Sequence, residues 1–195
     1  MGDNNTAVIK PGVRRDRSKT LDLVYTAIGV TLIAVCSWIT IPMTVPFTLQ
    51  TFAVFAVLLI LGGKRGTLAT LVYVLMGAVG IPVFSGFGGG VGILFGKTGG
   101  YILGFVLAGL VYWAMTAALG DKLAVRIAAL AAGLIVCYAF GTAWFMYLYM
   151  KNTGPVGLMT VLSWCVFPFI VPDIVKLGMA VLVSRRIKPL LDRHE

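Results

Sequence analysis

Trp164-Cys165-Val166-Phe167-Pro168-Phe169-Ile170-Val171-Pro172-Asp173-Ile174-Val175-Lys176 places an acid, a base and two prolines inside an apolar run that extends from Val156 to Val183. A bilayer crossing takes about 20 predominantly apolar residues, so the run reads as a membrane span. Asp173 and Lys176 are the only charged groups lodged away from the ends of any long apolar run of the chain. A charge at the bilayer centre costs about 2.5–3.5 kcal/mol on insertion scales, so a retained pair marks either a site or an internal ion pair. Their spacing of three puts both on one helix face, close enough to pair. Each proline removes a backbone donor and frees a carbonyl, which predicts a kinked or opened helix with a cavity beside it.

The rest of the chain has the same character. Of 195 residues, 59% are hydrophobic and 12% charged, the composition of an integral membrane protein. Six spans are expected: Leu21 to Ile41, Phe47 to Leu61, Thr67 to Phe84, Gly99 to Leu119, Leu123 to Met150 and Val156 to Val183. The second and third are short, the last two long. Turn residues separate them: Pro42 and Pro46, Gly62-Gly63-Lys64-Arg65-Gly66, the glycine run after Phe84, Gly120-Asp121-Lys122, and Asn152-Thr153-Gly154-Pro155. No strand alternation and no repeat of fixed period stands out. The first span lacks a small-x-small cleavage site and is read as a helix rather than a removable signal peptide. The expected organisation is a tail over residues 1–20, a six-helix all-α transmembrane domain over 21–184, and a basic tail over 185–195.

The net charge of +9 belongs to span flanks. Lys10, Arg14, Arg15, Arg17, Lys19, Lys64, Arg65, Lys122, Arg126, Arg185, Arg186, Lys188 and Arg193 fall on one side of the spans, and only Lys97 and Lys151 on the other. The positive-inside rule then places both termini in the cytoplasm, which an even number of spans satisfies. Basic residues so placed meet anionic lipid headgroups, and no nucleic-acid partner is expected. Cys36, Cys137 and Cys165 lie in apolar runs without ligand spacing, and His194 is the sole histidine. No metal site and no histidine-activated nucleophile can be assembled in the membrane, which removes most hydrolase readings.

Several segments carry two readings. Gly96-Lys97-Thr98 resembles the end of a phosphate loop, but the full pattern needs a glycine where Val91 stands, and a preceding strand. No nucleotide is expected on this chain. The loop from Phe84 to Gly100 reads as a folded cap, because Phe84, Phe87, Ile93, Leu94 and Phe95 are too apolar for a solvated linker. Thr48 and Gln50, polar at the start of the second span, serve either helix-to-helix hydrogen bonding or ligand contact. Tyr101 reads equally as an interfacial aromatic or as a pocket residue. Along the first span, Thr26, Ala27, Gly29, Thr31 and Ala34 offer small residues for close helix approach, within this protein or with a partner.

Taken together, Val45-Pro46-Phe47-Thr48-Leu49-Gln50-Thr51, Gly62-Gly63-Lys64-Arg65-Gly66, Gly80-Ile81-Pro82-Val83-Phe84-Ser85-Gly86, Gly96-Lys97-Thr98-Gly99-Gly100-Tyr101 and Pro172-Asp173-Ile174-Val175-Lys176 resemble, in order, the BioY-type biotin transporters. The resemblance runs from about Leu21 to Val183. It implies the six-helix substrate-binding (S) subunit of an energy-coupling-factor (ECF) transporter. It implies biotin as ligand, and as partners a transmembrane coupling protein and two cytoplasmic ATPase subunits. It also implies that Asp173 and Lys176, matching the family's Asp-x-x-Lys, contact biotin. Lys97 departs from the family's proline there, and Gly88 and Ile102 stand where some members carry polar or basic residues, so no contacts are carried over from those positions.

The residues suit that ligand. Asp173 can accept the ureido N–H groups of biotin, Lys176 can balance charge or meet the ligand's polar end, and Gln50 and Tyr101 complete the pocket. A self-sufficient ion-coupled carrier, an S subunit for another vitamin and an intramembrane enzyme are the alternatives. The enzyme lacks a second inward carboxylate, histidine or metal set. Self-association is left open.

Overall fold

The computed structural model describes residues 11–191. In chain order the elements are α1 (Pro11–Trp38), β1 (Thr40–Ile41), β2 (Phe47–Thr48), α2 (Gln50–Ala78), a 3-10 turn (Ser85–Phe87), α3 (Val91–Leu94), α4 (Gly99–Leu119), α5 (Leu123–Asn152), α6 (Leu158–Cys165) and α7 (Phe167–Leu191). The protein is an all-α membrane bundle, with five helical stretches long and apolar enough to cross a bilayer.

Five stretches stand where six spans are expected because the second and third merge into α2, which breaks only at Gly62. There φ is 79° and ψ 172°, a backbone state that side-chain-bearing residues rarely adopt. The two arms, residues 50–61 and 63–78, fold back on each other. Gln50 Nε2 donates to Tyr73 Oη at 3.2 Å, whereas a straight helix would hold those residues about 35 Å apart. A Cβ placed on Gly66 would lie 2.9 Å from Leu58 Cα, so the arms touch through a glycine. Ala53 to Leu59 are all within 2% of full burial. The first arm is apolar on every side because protein surrounds it on every side.

Other boundaries move for local reasons. α1 ends at Trp38 rather than Ile41, since Thr40 and Ile41 pair antiparallel with Thr48 and Phe47 across the Pro42–Pro46 turn. This small hairpin is the strand pairing that sequence alternation does not reveal. The third expected span stops at Ala78, short of Phe84, because Gly80 takes φ 102° and the chain turns back toward Pro82. The last expected span is two helices, interrupted at Val166 (φ −126°, ψ −57°), just before Pro168. Pro172 lies inside α7. Residues 11–20 of the expected N-terminal tail begin α1, and residues 185–191 of the expected basic tail continue α7. Lys10, Arg193 and His194 lie outside the described residues.

α4 and α5 form an antiparallel pair held by small residues at near four-residue spacing. A Cβ on Gly100 would come within 2.4 Å of Trp144, on Gly104 within 2.8 Å of Cys137, and on Gly133 within 2.9 Å of Ala108 O. Backbones that approach so closely gain packing that apolar side chains alone cannot supply in lipid. On α1 the small residues divide. Gly29 and Ala34 are buried, Gly29 against Val57, Leu61 and Ala69, while Ala27 and Thr31 remain exposed.

Charges gather at one end of the bundle. Arg65 pairs with Asp22 at 2.7 Å. Arg126 and Lys188 converge on Asp121, Nε of Arg126 at 2.6 Å and Nζ of Lys188 at 3.1 Å, clasping the α4–α5 turn to the end of α7. Partial burial works against ionisation of Asp121, yet the hydrogen bonds and charges of Arg126 and Lys188 outweigh it and hold its carboxyl below the ordinary 3.8. A depressed carboxyl contributes stability that is present above the unfolded-state value and lost as pH falls through the folded-state one. Because the Asp121 side chain is 59% exposed, the contribution is small. Asp121→Asn should slightly lower the thermal midpoint in detergent at pH 7 and flatten its decline below pH 3.8. An unaltered pH profile would count against the clasp.

Candidate functional site

Opposite the charged end, a cleft opens between the β1–β2 hairpin, the first arm of α2, α4, α5 and α7. It spans about 660 Å³ counted out into the open solvent at its mouth, and is lined mainly by apolar side chains with a few polar groups among them. Asp173, Lys176, Gln50 and Tyr101 all line it. Four residues from three helices, distant in sequence, thus share one cavity.

Asp173 and Lys176 are 2% and 3% exposed. Lys176 Nζ donates to Asp173 Oδ1 at 2.8 Å. Tyr138 of α5 donates its hydroxyl to the other carboxylate oxygen, Oδ2, at 2.5 Å. Phe47 of β2 sets its ring 4.1 Å below the ammonium and is itself stacked on Phe169 at 6.0 Å. A buried ion pair survives only when geometry is good and the remaining polar atoms are engaged. Here one hydroxyl and one aromatic face supply those contacts. The pair is therefore internal and cleft-facing at once. Each carboxylate oxygen keeps a further lone pair, and the ammonium keeps donors beyond the one given to Asp173.

Gln50 makes the helix-to-helix hydrogen bond that is one of its two readings, and it also lines the cleft. Its amide N–H bridges the α2 arms through Tyr73, whose hydroxyl passes to Val83 O at 3.1 Å. Thr48 Oγ1 accepts from Gln50 N at 3.2 Å, fixing the start of the helix. Among the described residues no donor reaches Gln50 Oε1, so this acceptor is unspent. Tyr101 is 8% exposed and belongs to the core rather than an interfacial belt. Its hydroxyl meets Thr142 Oγ1 at 3.0 Å. Its ring lies on Gly141, where a Cβ would come within 2.3 Å.

The glycine-rich loop is a folded cap. Phe84 is buried edge-on to Tyr73, ring centres 5.6 Å apart, and Gly90 N donates to Gly77 O at 2.7 Å. The end of α1 holds the loop from the other side. Ser37 donates to Val83 O at 2.5 Å, Trp38 Nε1 to Pro82 O at 2.9 Å, and Ser85 Oγ to Thr40 Oγ1 at 2.9 Å. Ser85 and Thr98 reach the cleft wall. Gly96-Lys97-Thr98 is the turn into α4, following the short α3 rather than a strand. Lys97 sits over the Tyr149 ring at 4.8 Å.

Sequence reasoning misses Tyr138, Phe47, Thr142 and Tyr73. Tyr138 lies in the uninterrupted apolar run of α5, where nothing local separates it from a lipid-facing tyrosine. Phe47 stands inside the quoted Pro46-Phe47-Thr48 block, and its neighbour Pro46 is the one available signal of an irregular backbone.

Chemically, the cleft offers a carboxylate, an ammonium, an amide oxygen and phenolic hydroxyls against apolar and aromatic walls. That set suits a small amphipathic ligand with N–H donors and a polar terminus. Among the described residues there is no cluster of three His, Cys, Asp or Glu side chains fit for a metal ion.

Known proteins share this sequence and fold. A protein of Thermotoga maritima named Biotin transporter BioY is 40% identical over 169 residues, covering 86% of this chain and 96% of its own. The Probable biotin transporter BioY of Pyrococcus horikoshii is 42% identical over 144 residues, covering 74% and 81%. A crystal structure described as the S-component for biotin from an ECF-type ABC transporter matches the fold with a TM-score of 0.78 at 23% identity, over 89% of this chain and 93% of that one. The profile of the BioY family matches residues 10–193, and with relatives this similar over most of its length the chain belongs to the BioY family.

Proposed function

We propose that this chain captures biotin at the outer face of the cytoplasmic membrane and carries it inward as the substrate-specific subunit of an ECF-type transporter. The observation that carries the reading is the buried Asp173–Lys176 pair, held by Tyr138 and Phe47 in the wall of the cleft. The names of the relatives and the fold of the biotin S-component support biotin as the ligand. The function is binding and transport rather than catalysis. Counting each arm of α2 as a crossing gives six, with the charged end of the bundle facing the cytoplasm under the positive-inside rule. ATP hydrolysis is assigned to two ATPase subunits reached through a coupling protein. The exposed Ala27 and Thr31 of α1 supply a small-residue face for a partner helix.

In the bound state Asp173 receives the ureido N–H groups on its free lone pairs, Lys176 compensates the charge or meets the polar end, and Gln50 and Tyr101 complete the enclosure. The test is equilibrium binding of biotin to detergent-purified protein against a panel of other vitamins. Biotin alone should bind tightly, and Asp173→Asn should weaken it by about 1–3 kcal/mol through loss of charge-assisted hydrogen bonds. Unchanged affinity in the folded variant sinks the site, and preference for another vitamin sinks the ligand.

A further inference from the structure

At the charged end, away from the biotin cleft, the bundle holds two joined cavities. α1 and α7 each pack chiefly on the α2 hairpin, and the space between them stays open beside the Gly62 break. One chamber, about 200 Å³, is bordered by Gly62, Arg65 and Lys188. The other, about 190 Å³, is bordered by Ile28, Leu32, Val57 and Ile187. Tyr25, Ile60, Leu61 and Leu191 border both. A basic chamber therefore opens directly into an apolar one, running from the level of the charged residues into the depth of the spans.

Among the described side chains, positive charge at this end exceeds the acids. Between Thr20 and Leu191 its only acids are Asp22 and Asp121. Asp22 takes Arg65, and Asp121 is shared by Arg126 and Lys188, one carboxylate between two cations. Lys64, Lys122, Arg185 and Arg186 add positive charge nearby. A guanidinium has five donors in a fork, so Arg65 can give one N–H to a phosphate oxygen and keep Asp22 and a further contact on the others. An anion placed here completes the electrostatics, and basic pockets between spans at headgroup level recognise anionic lipid heads.

We propose that this crevice binds one anionic phospholipid, its phosphate beside Arg65, Lys188 and Tyr25 and one acyl chain in the apolar chamber between α1, the first α2 arm and α7. A soluble phosphate would leave the apolar chamber unfilled. A partner helix would instead meet the outward face of α1 at Ala27 and Thr31, which border neither chamber.

Native mass spectrometry and thermal unfolding of the detergent-purified full chain test this with three probes: phosphatidylglycerol, phosphatidylcholine and inorganic phosphate. Phosphatidylglycerol should remain bound after the collisional energy that strips phosphatidylcholine, and should alone raise the melting temperature. Arg65→Gln with Lys188→Gln should reduce the preference for the anionic lipid by about fivefold per cation removed. Ile28→Trp, which fills the apolar chamber and leaves the cations in place, should reduce retention of both lipids. Equal retention of the two lipids by the parent protein overturns the proposal. So does a preference unchanged in the charge variant or in Ile28→Trp, or an equal thermal shift from inorganic phosphate. None of these residues lines the biotin cleft, so biotin binding measured on the same samples separates failure of this site from failure of that one.

Discussion

Lys176→Met should destabilise the protein by about 3–5 kcal/mol, because it leaves the Asp173 carboxylate buried with a tyrosine hydroxyl in place of a counter-charge. Asp173→Asn leaves Lys176 without its counter-charge in the same way, with a neutral amide oxygen and the Phe47 ring beside it. Replacing both, Asp173→Asn with Lys176→Met, should recover most of that loss, since two neutral side chains of similar volume need no counter-charge. Thermal unfolding of the parent, both single variants and the double variant closes the cycle. Biotin affinity measured on the same four proteins asks a different question. The double variant should be stable and still bind weakly, because in the proposed binding mode the ligand loses its charged partners while the helix keeps its packing. A double variant that binds like the parent would make the pair a structural device. A double variant as unstable as the singles would show that the cost lies elsewhere.

Gly99→Ala should cost about 3 kcal/mol, at the upper end for overpacking. A Cβ there would lie 1.7 Å from the Leu94 carbonyl oxygen, a backbone atom that cannot rotate away. The corner between α3 and α4 would have to shift, and with it Thr98 and Tyr101 on the cleft wall. Biotin binding should therefore weaken along with the thermal midpoint. Gly178→Ala is the matched control. It sits exposed within α7 with nothing within 4 Å of the added carbon, and should stabilise by about 0.5–1 kcal/mol through reduced backbone freedom. Equal effects of the two substitutions would show that helix propensity, not the collision, sets the outcome.

The helical class and the position of the charge pair were legible because both rest on long-range composition: apolar runs of span length, and two ionisable groups that interrupt only one of them. The glycine-rich loop was legible as a cap from its aromatic content. The reversal at Gly62 was legible as a break but not as a single residue, since Gly63 and Gly66 serve packing against Trp113 and Leu58 instead. The break at Val166 was displaced from the prolines because Pro168 can sit in the first turn of a new helix, where its missing donor costs nothing. Tyr138 and Thr142 were illegible for a different reason. Their role depends on how α5 is rotated against α7 and α4, which no local pattern on an all-apolar helix encodes.

The first arm of α2, residues 50–61, is about 18 Å long, well short of the roughly 30 Å of hydrocarbon it sits in. Alone in lipid it would leave its end carbonyls and amides unsatisfied, so by itself it is a poor span. It becomes stable only when α1, the second arm, α4 and α7 have closed around it. Gln50 and Thr48 stand at the head of that arm, so this wall of the cleft is only as firm as the helices packed around a segment too short to span by itself.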